Sequence, residues 1–138
     1  MILLDTDTLT LHFYRQPSVT GRLARAQDIV AITIVSWIEV LRGRFDGVLK
    51  AVDAAQLLSA QARLRDAEQR LSQLPVIAFD AVAAAEFDRL RADKRLKKIG
   101  RADLLIASIA LAQRATLVTR NVRHFRPVPG LALDNWAT

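Results

Sequence analysis

The amino-acid sequence predicts an α/β protein, a three-layer α/β/α sandwich with a central parallel sheet of four to five strands. Three observations predict this fold. Short apolar runs rich in β-branched residues alternate with longer segments of helical periodicity, which is the pattern of successive βαβ units. The first run, residues 1–4, is apolar throughout, as a strand covered on both faces should be. Acidic residues follow the strands, at the edge where open parallel sheets bind ligands.

The chain opens with a strand that we place at the centre of the sheet. The strand ends at Asp5, and a short helix is predicted over 8–14 with Asp7 or Thr8 as its cap. A basic helix follows at 19–26. Asp5 has two interpretations, either a turn or helix-capping residue or a ligand-binding carboxylate at the sheet edge.

The second strand is the β-branched run at 29–35. Behind it, Ser36 and Glu39 match a capping box, with Ser36 at the N-cap of a helix that ends near Gly43. Capping is therefore one interpretation of Glu39. Its position just past the carboxyl end of a strand gives a second one, as a neighbour of Asp5 at the same sheet edge.

The middle of the chain is predominantly helical. Apolar residues recur at helical spacing from 48 to 74, which predicts one long or two consecutive amphipathic helices that end before Pro75. A short strand at 76–79 is followed by Asp80, which should cap an alanine-rich helix at 81–96. The apolar stripes of these helices exceed what one small sheet can cover, so we expect them to supply surfaces for partners.

The last third of the chain predicts a buried helix and two strands. The segment 101–112 is apolar almost all round and has Asp103 in its first turn, where a carboxylate either complements the helix dipole or points into a crevice. A fourth strand is expected at 115–119 and an edge strand at 131–133. Between them, Asn121 should cap a short turn.

Length and composition indicate one folded domain spanning residues 1–138. The chain is 51% hydrophobic and 25% charged, the balance of a folded domain rather than a disordered one. No apolar run is long enough to cross a membrane and no basic segment precedes the first strand, so we expect a cytoplasmic protein. Because cysteine is absent, any metal site must use oxygen or histidine ligands, which points to Mg²⁺ or Mn²⁺.

The charge distribution suggests a polyanionic partner, since the formal net charge is +6. Five cations and no acid lie within 94–101, and three arginines lie within 120–126. A solvated helix face explains either cluster alone. Both clusters lie beside candidate acidic residues, which favours contact with a nucleic-acid phosphate backbone. The candidate RNA-binding residues are Lys97, Lys98, Arg101, Arg120 and Arg123.

Four segments together carry a resemblance to a known family. They read Ile-Leu-Leu-Asp-Thr-Asp around Asp5, Glu-Val-Leu-Arg-Gly from Glu39, Ala-Asp-Leu-Leu-Ile-Ala around Asp103, and Leu-Val-Thr-Arg-Asn-Val-Arg-His-Phe around Asn121. In this order and spacing they resemble PIN-domain ribonucleases, specifically VapC-type toxins of toxin–antitoxin pairs, over essentially the whole chain. The resemblance implies a Mg²⁺- or Mn²⁺-dependent endoribonuclease that cleaves structured RNA such as transfer RNA. It also implies a homodimer inhibited by a small VapB-like antitoxin.

The resemblance assigns roles by position. It implies that Asp5, Glu39 and Asp103 form the acidic metal site and are the catalytic residues, with the metal activating water for attack on a phosphodiester. Thr6 and Thr119 match the family as hydroxyls behind these acids.

The final motif matches the family only in part. Asn121 agrees with the pattern and would position a ligand or brace its loop. His124 departs from it, because many relatives have Asp or Glu at that position. This departure puts a complete four-acid site, and so a second metal ion, in question.

Two other functions compete with this one. Asp5-Thr6-Asp7 after an apolar strand also resembles the first motif of haloacid-dehalogenase phosphatases. That family needs a paired acidic motif late in the chain, where only Asp134 follows Asp103. The other alternative is a PIN-like protein that binds RNA without cutting it, which the histidine at position 124 makes conceivable.

Overall fold

A computed structural model describes all 138 residues and contains one five-stranded sheet. The strands are β1 Ile2–Leu4, β2 Val30–Thr33, β3 Val76–Ile77, β4 Thr116–Val118 and β5 Ala132–Asp134. Their order across the sheet is β3-β2-β1-β4-β5, and every neighbouring pair is parallel. The predicted α/β/α fold class, strand number and central position of the first strand are therefore confirmed.

Seven helices connect the strands and cover the sheet. They are α1 Thr6–Phe13, α2 Pro17–Arg25, α3 Ile34–Leu49, α4 Ala54–Leu71, α5 Ala81–Arg91, α6 Arg101–Gln113 and α7 Val122–Phe125, with a short 3-10 turn at Lys94–Leu96. None of them combines the length and apolarity needed to cross a membrane.

Alternation along the strands divides the core into two layers. Because successive strand residues point to opposite faces of a sheet, Leu3 and Leu4 of β1 enter different layers. Leu3 packs with the neighbouring strands against α5 and α6, whereas Leu4 packs against α1, α2, α3 and α4. Both side chains are fully buried. The all-apolar character of the first strand thus has a direct structural reason.

The first helix begins earlier than the sequence predicted. It starts at Thr6, and its N-cap is Asp5, whose Oδ1 accepts a hydrogen bond of 2.8 Å from the Thr8 backbone N–H. The predicted caps, Asp7 and Thr8, are instead the second and third helical residues. The prediction was wrong because the strand ends at Leu4 and the carboxylate directly after it can cap the helix at once.

The predicted capping box at Ser36 and Glu39 was also wrong. The second strand ends at Thr33, and the Thr33 hydroxyl accepts a hydrogen bond of 3.1 Å from the Ser36 backbone N–H. Helix α3 therefore starts three residues early and continues through Gly43 to Leu49. An interior glycine costs a helix about 1 kcal/mol, which the packing of α3 against α1 and α4 outweighs.

Most other element boundaries differ from prediction by a few residues. Strand β3 has two residues rather than four, and α5 ends at Arg91, where the chain tightens into the 3-10 turn. Of the two alternatives for 48–74, the structure has two consecutive helices, the end of α3 and then α4, which Asp53 caps. Asn121 precedes α7, but its side chain makes no capping hydrogen bond.

Candidate active site

One cleft at the carboxyl edge of the sheet collects most of the candidate acids. Strands β1, β2 and β4 end side by side there, because Leu4 pairs in register with both Ile32 and Val118. The cleft has a volume of about 390 Å³. Its polar lining is Asp5, Thr6, Asp7, Thr10, Glu39, Asp103 and Asn121.

Asp5 is the innermost of the four carboxylates and is only 6% exposed. Its Oδ1 accepts the Thr8 N–H, so the helix-capping and cleft-lining interpretations both describe this residue. Burial raises the pKa of the Asp5 carboxyl, and the negative charge of Asp7 adds to the effect. The side chain of Thr119 and the amide of Thr8 favour the ionised form but do not cancel the effect of burial.

Glu39 reaches the cleft from the second turn of α3. Its Oε1 accepts a hydrogen bond of 2.7 Å from the Thr6 hydroxyl, which lies 2.9 Å from the Ser36 hydroxyl. Thr6 is the first residue of α1, so this contact joins α1 to α3 beside Asp5. The structure thus places Thr6 against one of the predicted acids.

Asp103 lies in the first turn of α6 and is 42% exposed at its side chain. The His124 Nε2 lies 3.1 Å from Asp103 Oδ2. The carboxylate also lies near the positive end of the α6 dipole, so both explanations given for it from the sequence apply. His124 therefore contacts Asp103, which lines the cleft, but does not line the cleft itself.

Asp7 is a cleft carboxylate outside the predicted metal site. Its two oxygens accept hydrogen bonds from Arg120 Nε at 2.8 Å and Arg120 Nη2 at 3.2 Å. The signal that could have identified it is its place two residues after Asp5, in the first turn of the helix that starts at the sheet edge. The cleft thus has four carboxylates even though position 124 is a histidine.

Asn121 and Thr119 come from the loop that follows β4. Asn121 lines the cleft, and its backbone N–H donates a hydrogen bond of 3.0 Å to the Thr119 hydroxyl. Thr119 is fully buried, and its side chain favours the ionised form of Asp5. The loop is thereby tied to the innermost acid.

The other candidate RNA-binding residues lie outside the cleft lining. Lys97 and Lys98 are exposed just before α6, and Arg101 is the exposed first residue of that helix, two positions before Asp103. Arg123 is exposed on α7. None of these four forms a salt bridge within the chain, in contrast to Arg120.

A family model described as PIN domain matches residues 2–131 of this chain. The chain belongs to the PIN domain family. The resemblance seen in the sequence is confirmed, and the haloacid-dehalogenase interpretation is set aside.

Relatives of this PIN domain include named ribonucleases. Over 68 residues the chain is 46% identical to ribonuclease VapC2 of Rickettsia felis, a match that spans 48% of this chain and 51% of that protein, about half of each. Over 137 residues it is 26% identical to the tRNA(fMet)-specific endonuclease VapC of Salmonella typhimurium, covering 97% of this chain and 96% of that protein.

Solved structures give the same family. The crystal structure of VapBC2 from Rickettsia felis bound to a promoter DNA fragment contains a chain 32% identical to this one, with a TM-score of 0.79 and 99% of each chain covered. The DNA-bound VapBC from Salmonella typhimurium shares the fold with a TM-score of 0.83 at 24% identity, covering 98% of this chain and 97% of that one.

The donor atoms that line the cleft of this PIN domain are of the kind that bind a divalent cation through oxygen. Carboxylates and an amide are the ligands that Mg²⁺ and Mn²⁺ prefer. Asp5 in particular is a buried carboxylate without a cationic side chain bonded to it, so a cation beside it would favour its ionised form. No three acidic or histidine side chains lie close enough together to hold an ion as they stand. Glu39 is exposed and the Asp103 side chain is 42% exposed, so burial does not fix either side chain in place.

Proposed function

We propose that this PIN domain is a divalent-metal-dependent endoribonuclease that acts as the toxin of a toxin–antitoxin pair. The observation that carries the proposal is the cleft itself, in which carboxylates from three separate elements meet at one sheet edge. Relatives of this chain are named ribonucleases and endonucleases, which supports the same reaction class.

The proposed substrate is structured RNA, with transfer RNA as the first candidate. The net charge of +6 favours a polyanion. Four exposed cations without partners, Lys97, Lys98, Arg101 and Arg123, flank the elements that carry Asp103 and Asn121. A nearly full-length relative is named as a tRNA(fMet)-specific endonuclease, which supports transfer RNA as the substrate class to test.

In the proposed mechanism Asp5, Glu39 and Asp103 hold Mg²⁺ or Mn²⁺. The ion, when bound, supplies activation of water and polarisation of the scissile phosphate. Within the chain, the Thr8 N–H donates to Asp5 and the Thr6 hydroxyl donates to Glu39. Asn121 braces the loop at the cleft, and the flanking cations hold the RNA backbone.

The proposed partners are a second copy of the chain and a VapB-like antitoxin. Large apolar side chains are exposed along α3, the segment after it and the start of α4: Trp37, Ile38, Phe45, Leu49, Val52, Leu57 and Leu58. A depression of about 420 Å³ on α3 is lined by four apolar residues, Trp37, Ile38, Leu41 and Phe45, together with Arg42 and Asp46. Exposed apolar side chains grouped around such a depression are typical of a surface that contacts another protein. Light scattering should find a dimer, and a monomer at micromolar concentration that binds no small antitoxin would contradict this part.

Cleavage of RNA by the purified chain tests the central proposal. Transfer RNA incubated with Mn²⁺ or Mg²⁺ should give discrete fragments that EDTA suppresses, and Asp5→Asn should abolish them. RNA binding without fragments under any of these conditions would favour the alternative, a PIN-like module that binds RNA without cutting it. Absence of both binding and cleavage would reject both functions.

A further inference from the structure

The pair formed by Asp7 and Arg120 is the one salt bridge at the cleft that uses two hydrogen bonds. It joins the first turn of α1 to the loop after β4, residues 113 positions apart. Both side chains are about half exposed, at 50% and 53%. Because Asp7 lines the cleft, the guanidinium bonded to it lies at the cleft rim.

The geometry of this pair leaves part of Arg120 free. A guanidinium carries five N–H donors. Asp7 accepts from Nε and from one N–H of Nη2, and no atom of the chain accepts from Nη1. The edge formed by Nη1 and the second Nη2 N–H is therefore unoccupied. Two parallel donors at this spacing match two oxygens of one phosphate group.

We propose that Asp7 is a positioning residue, which holds Arg120 at the cleft rim so that its free edge binds a backbone phosphate of the RNA. The proposal rests on the proposed ribonuclease function and adds a residue that neither the motifs nor the comparisons assign. Arginine has a long, flexible side chain, and a partner that orders it beforehand reduces what binding must immobilise. Asp7 is thus an acid whose role is to strengthen contact with another anion.

The sign of one measurement separates this role from simple electrostatics. If Asp7 acted on RNA only through its charge, Asp7→Ala would remove a repulsion and tighten RNA binding. If Asp7 positions Arg120, the same substitution weakens binding. Since exposed ion pairs contribute little, we expect Asp7→Ala to raise the Kd only about threefold.

The experiment uses fluorescence anisotropy of the full chain with a short fluorescein-labelled single-stranded RNA in EDTA, where metal binding and cleavage play no part. Arg120→Ala should raise the Kd about tenfold, as expected for loss of a charged hydrogen bond. It should also reduce the slope of log K against log salt by about 0.7, the value for one phosphate on a single strand. In the Arg120→Ala background, Asp7→Ala should cause no further weakening.

Asp66→Ala is the matched control, because Asp66 is also an exposed aspartate paired with an arginine, Arg70, but lies on α4 outside the cleft. It should leave the Kd unchanged.

Tighter binding by Asp7→Ala, or equal weakening with and without Arg120, would overturn the proposal. Should Asp7→Ala fail to fold in a thermal melt, Asp7→Asn keeps the shape and serves in its place, with the same two outcomes deciding. A parent chain that binds no RNA would reject the proposed function instead.

Discussion

The inner and outer carboxylates of the cleft are held in opposite ways, although Asp5 and Asp7 are only two residues apart. Asp5 is buried and accepts from the Thr8 backbone N–H, a partner without net charge. Asp7 is half exposed and forms two hydrogen bonds with the guanidinium of Arg120. The chain therefore leaves the inner charge without a cationic partner, whereas it already compensates the outer charge.

The two remaining acids extend the comparison. Glu39 accepts from the Thr6 hydroxyl, again an uncharged donor, whereas Asp103 has the His124 imidazole at 3.1 Å. Asp5 and Glu39 are thus held by neutral donors, whereas Asp103 contacts an imidazole and Asp7 a guanidinium. We expect substitutions of the proposed ligands Asp5, Glu39 and Asp103 to affect metal-dependent cleavage, and substitution of Asp7 to affect RNA affinity.

The largest expected effect is a difference in cleavage rate between variants of Asp5 and of Asp7. Loss of residues that merely support a metal ligand costs about 10-fold to 100-fold in activity. Asp5→Asn, which removes a proposed ligand, should therefore lower kcat by more than about 100-fold, and Glu39→Gln and Asp103→Asn should do the same. Asp7→Asn should raise KM and change kcat little. Steady-state cleavage of transfer RNA with Mn²⁺ measures both constants, and equal kcat losses for Asp5→Asn and Asp7→Asn would remove the distinction.

The next effect concerns His124, which contacts Asp103, one of the three proposed ligands. His124→Asp replaces the nitrogen base by a carboxylate beside Asp103 and adds a hard oxygen donor to that side of the cleft. One added contact worth roughly 1.4 kcal/mol would lower the Mg²⁺ concentration for half-maximal cleavage about tenfold. His124→Asn removes the imidazole without adding charge and is the control. An unchanged Mg²⁺ requirement, together with weaker RNA binding, would assign His124 to RNA contact instead.

The fold was predictable from the sequence because its signals are local. The apolar first strand, the β-branched second strand and the all-round apolar helix at Arg101–Gln113 each follow from burial on two faces. Helix starts were less predictable, because Asp5 and Thr33 had competitors for capping within three residues. Which of several polar side chains caps a helix depends on where the preceding strand stops pairing, and that is decided by the neighbouring strands.

The candidate site was predictable only as a set of positions after strands. Asp5, Glu39, Asp103 and Asn121 were expected at one sheet edge, and the structure places all four around one cleft. The pairing of each acid was not predictable. The contact between Asp7 and Arg120 spans 113 positions, and no periodicity or motif indicates which of several arginines reaches which acid.

A smaller effect tests the hydrogen bonds that hold the Glu39 carboxylate in the cleft. The Thr6 hydroxyl has one proton, and a 2.7 Å contact with the Glu39 carboxylate uses it. Ser36, which is fully buried, must then donate to Thr6 across their 2.9 Å contact. Ser36→Ala removes this donor, and since a neutral hydrogen bond contributes about 1 kcal/mol, cleavage should fall about threefold to fivefold.

Ser108→Ala is the matched control for this prediction. Ser108 is likewise a fully buried helical serine, but its hydroxyl donates to the Leu104 carbonyl at 2.7 Å, away from the cleft. Ser36→Thr retains a hydroxyl and should restore part of the activity. Equal losses for Ser36→Ala and Ser108→Ala would indicate a general packing effect instead of alignment of Glu39.

The smallest expected effect is on stability, and it tests the burial of the inner acid directly. Burial raises the pKa of Asp5 above its usual value of 3.8, so the folded chain holds this proton more tightly than the unfolded chain. The associated stability is fully present below pH 3.8 and is lost as the pH rises through the raised pKa. Asp5→Asn has no proton to lose there, and its amide oxygen can still accept from the Thr8 N–H.

The difference in unfolding free energy between Asp5→Asn and the parent should therefore grow in favour of the variant as the pH rises from about 4 toward neutrality, with each unit of raised pKa corresponding to about 1.4 kcal/mol. Urea unfolding in EDTA at several pH values measures it. Asp80→Asn makes the same substitution at an exposed helix cap and gives the cost of exchanging a capping carboxylate for an amide.

Saturating Mn²⁺ should reverse the order of stability and make the parent the more stable chain, because a ligand that binds the folded state adds RT ln(1 + [L]/Kd) to its stability. A parent that remains the less stable chain with Mn²⁺ present would mean that Asp5 does not hold the ion, and the contrast between inner and outer acids would then be one of burial alone.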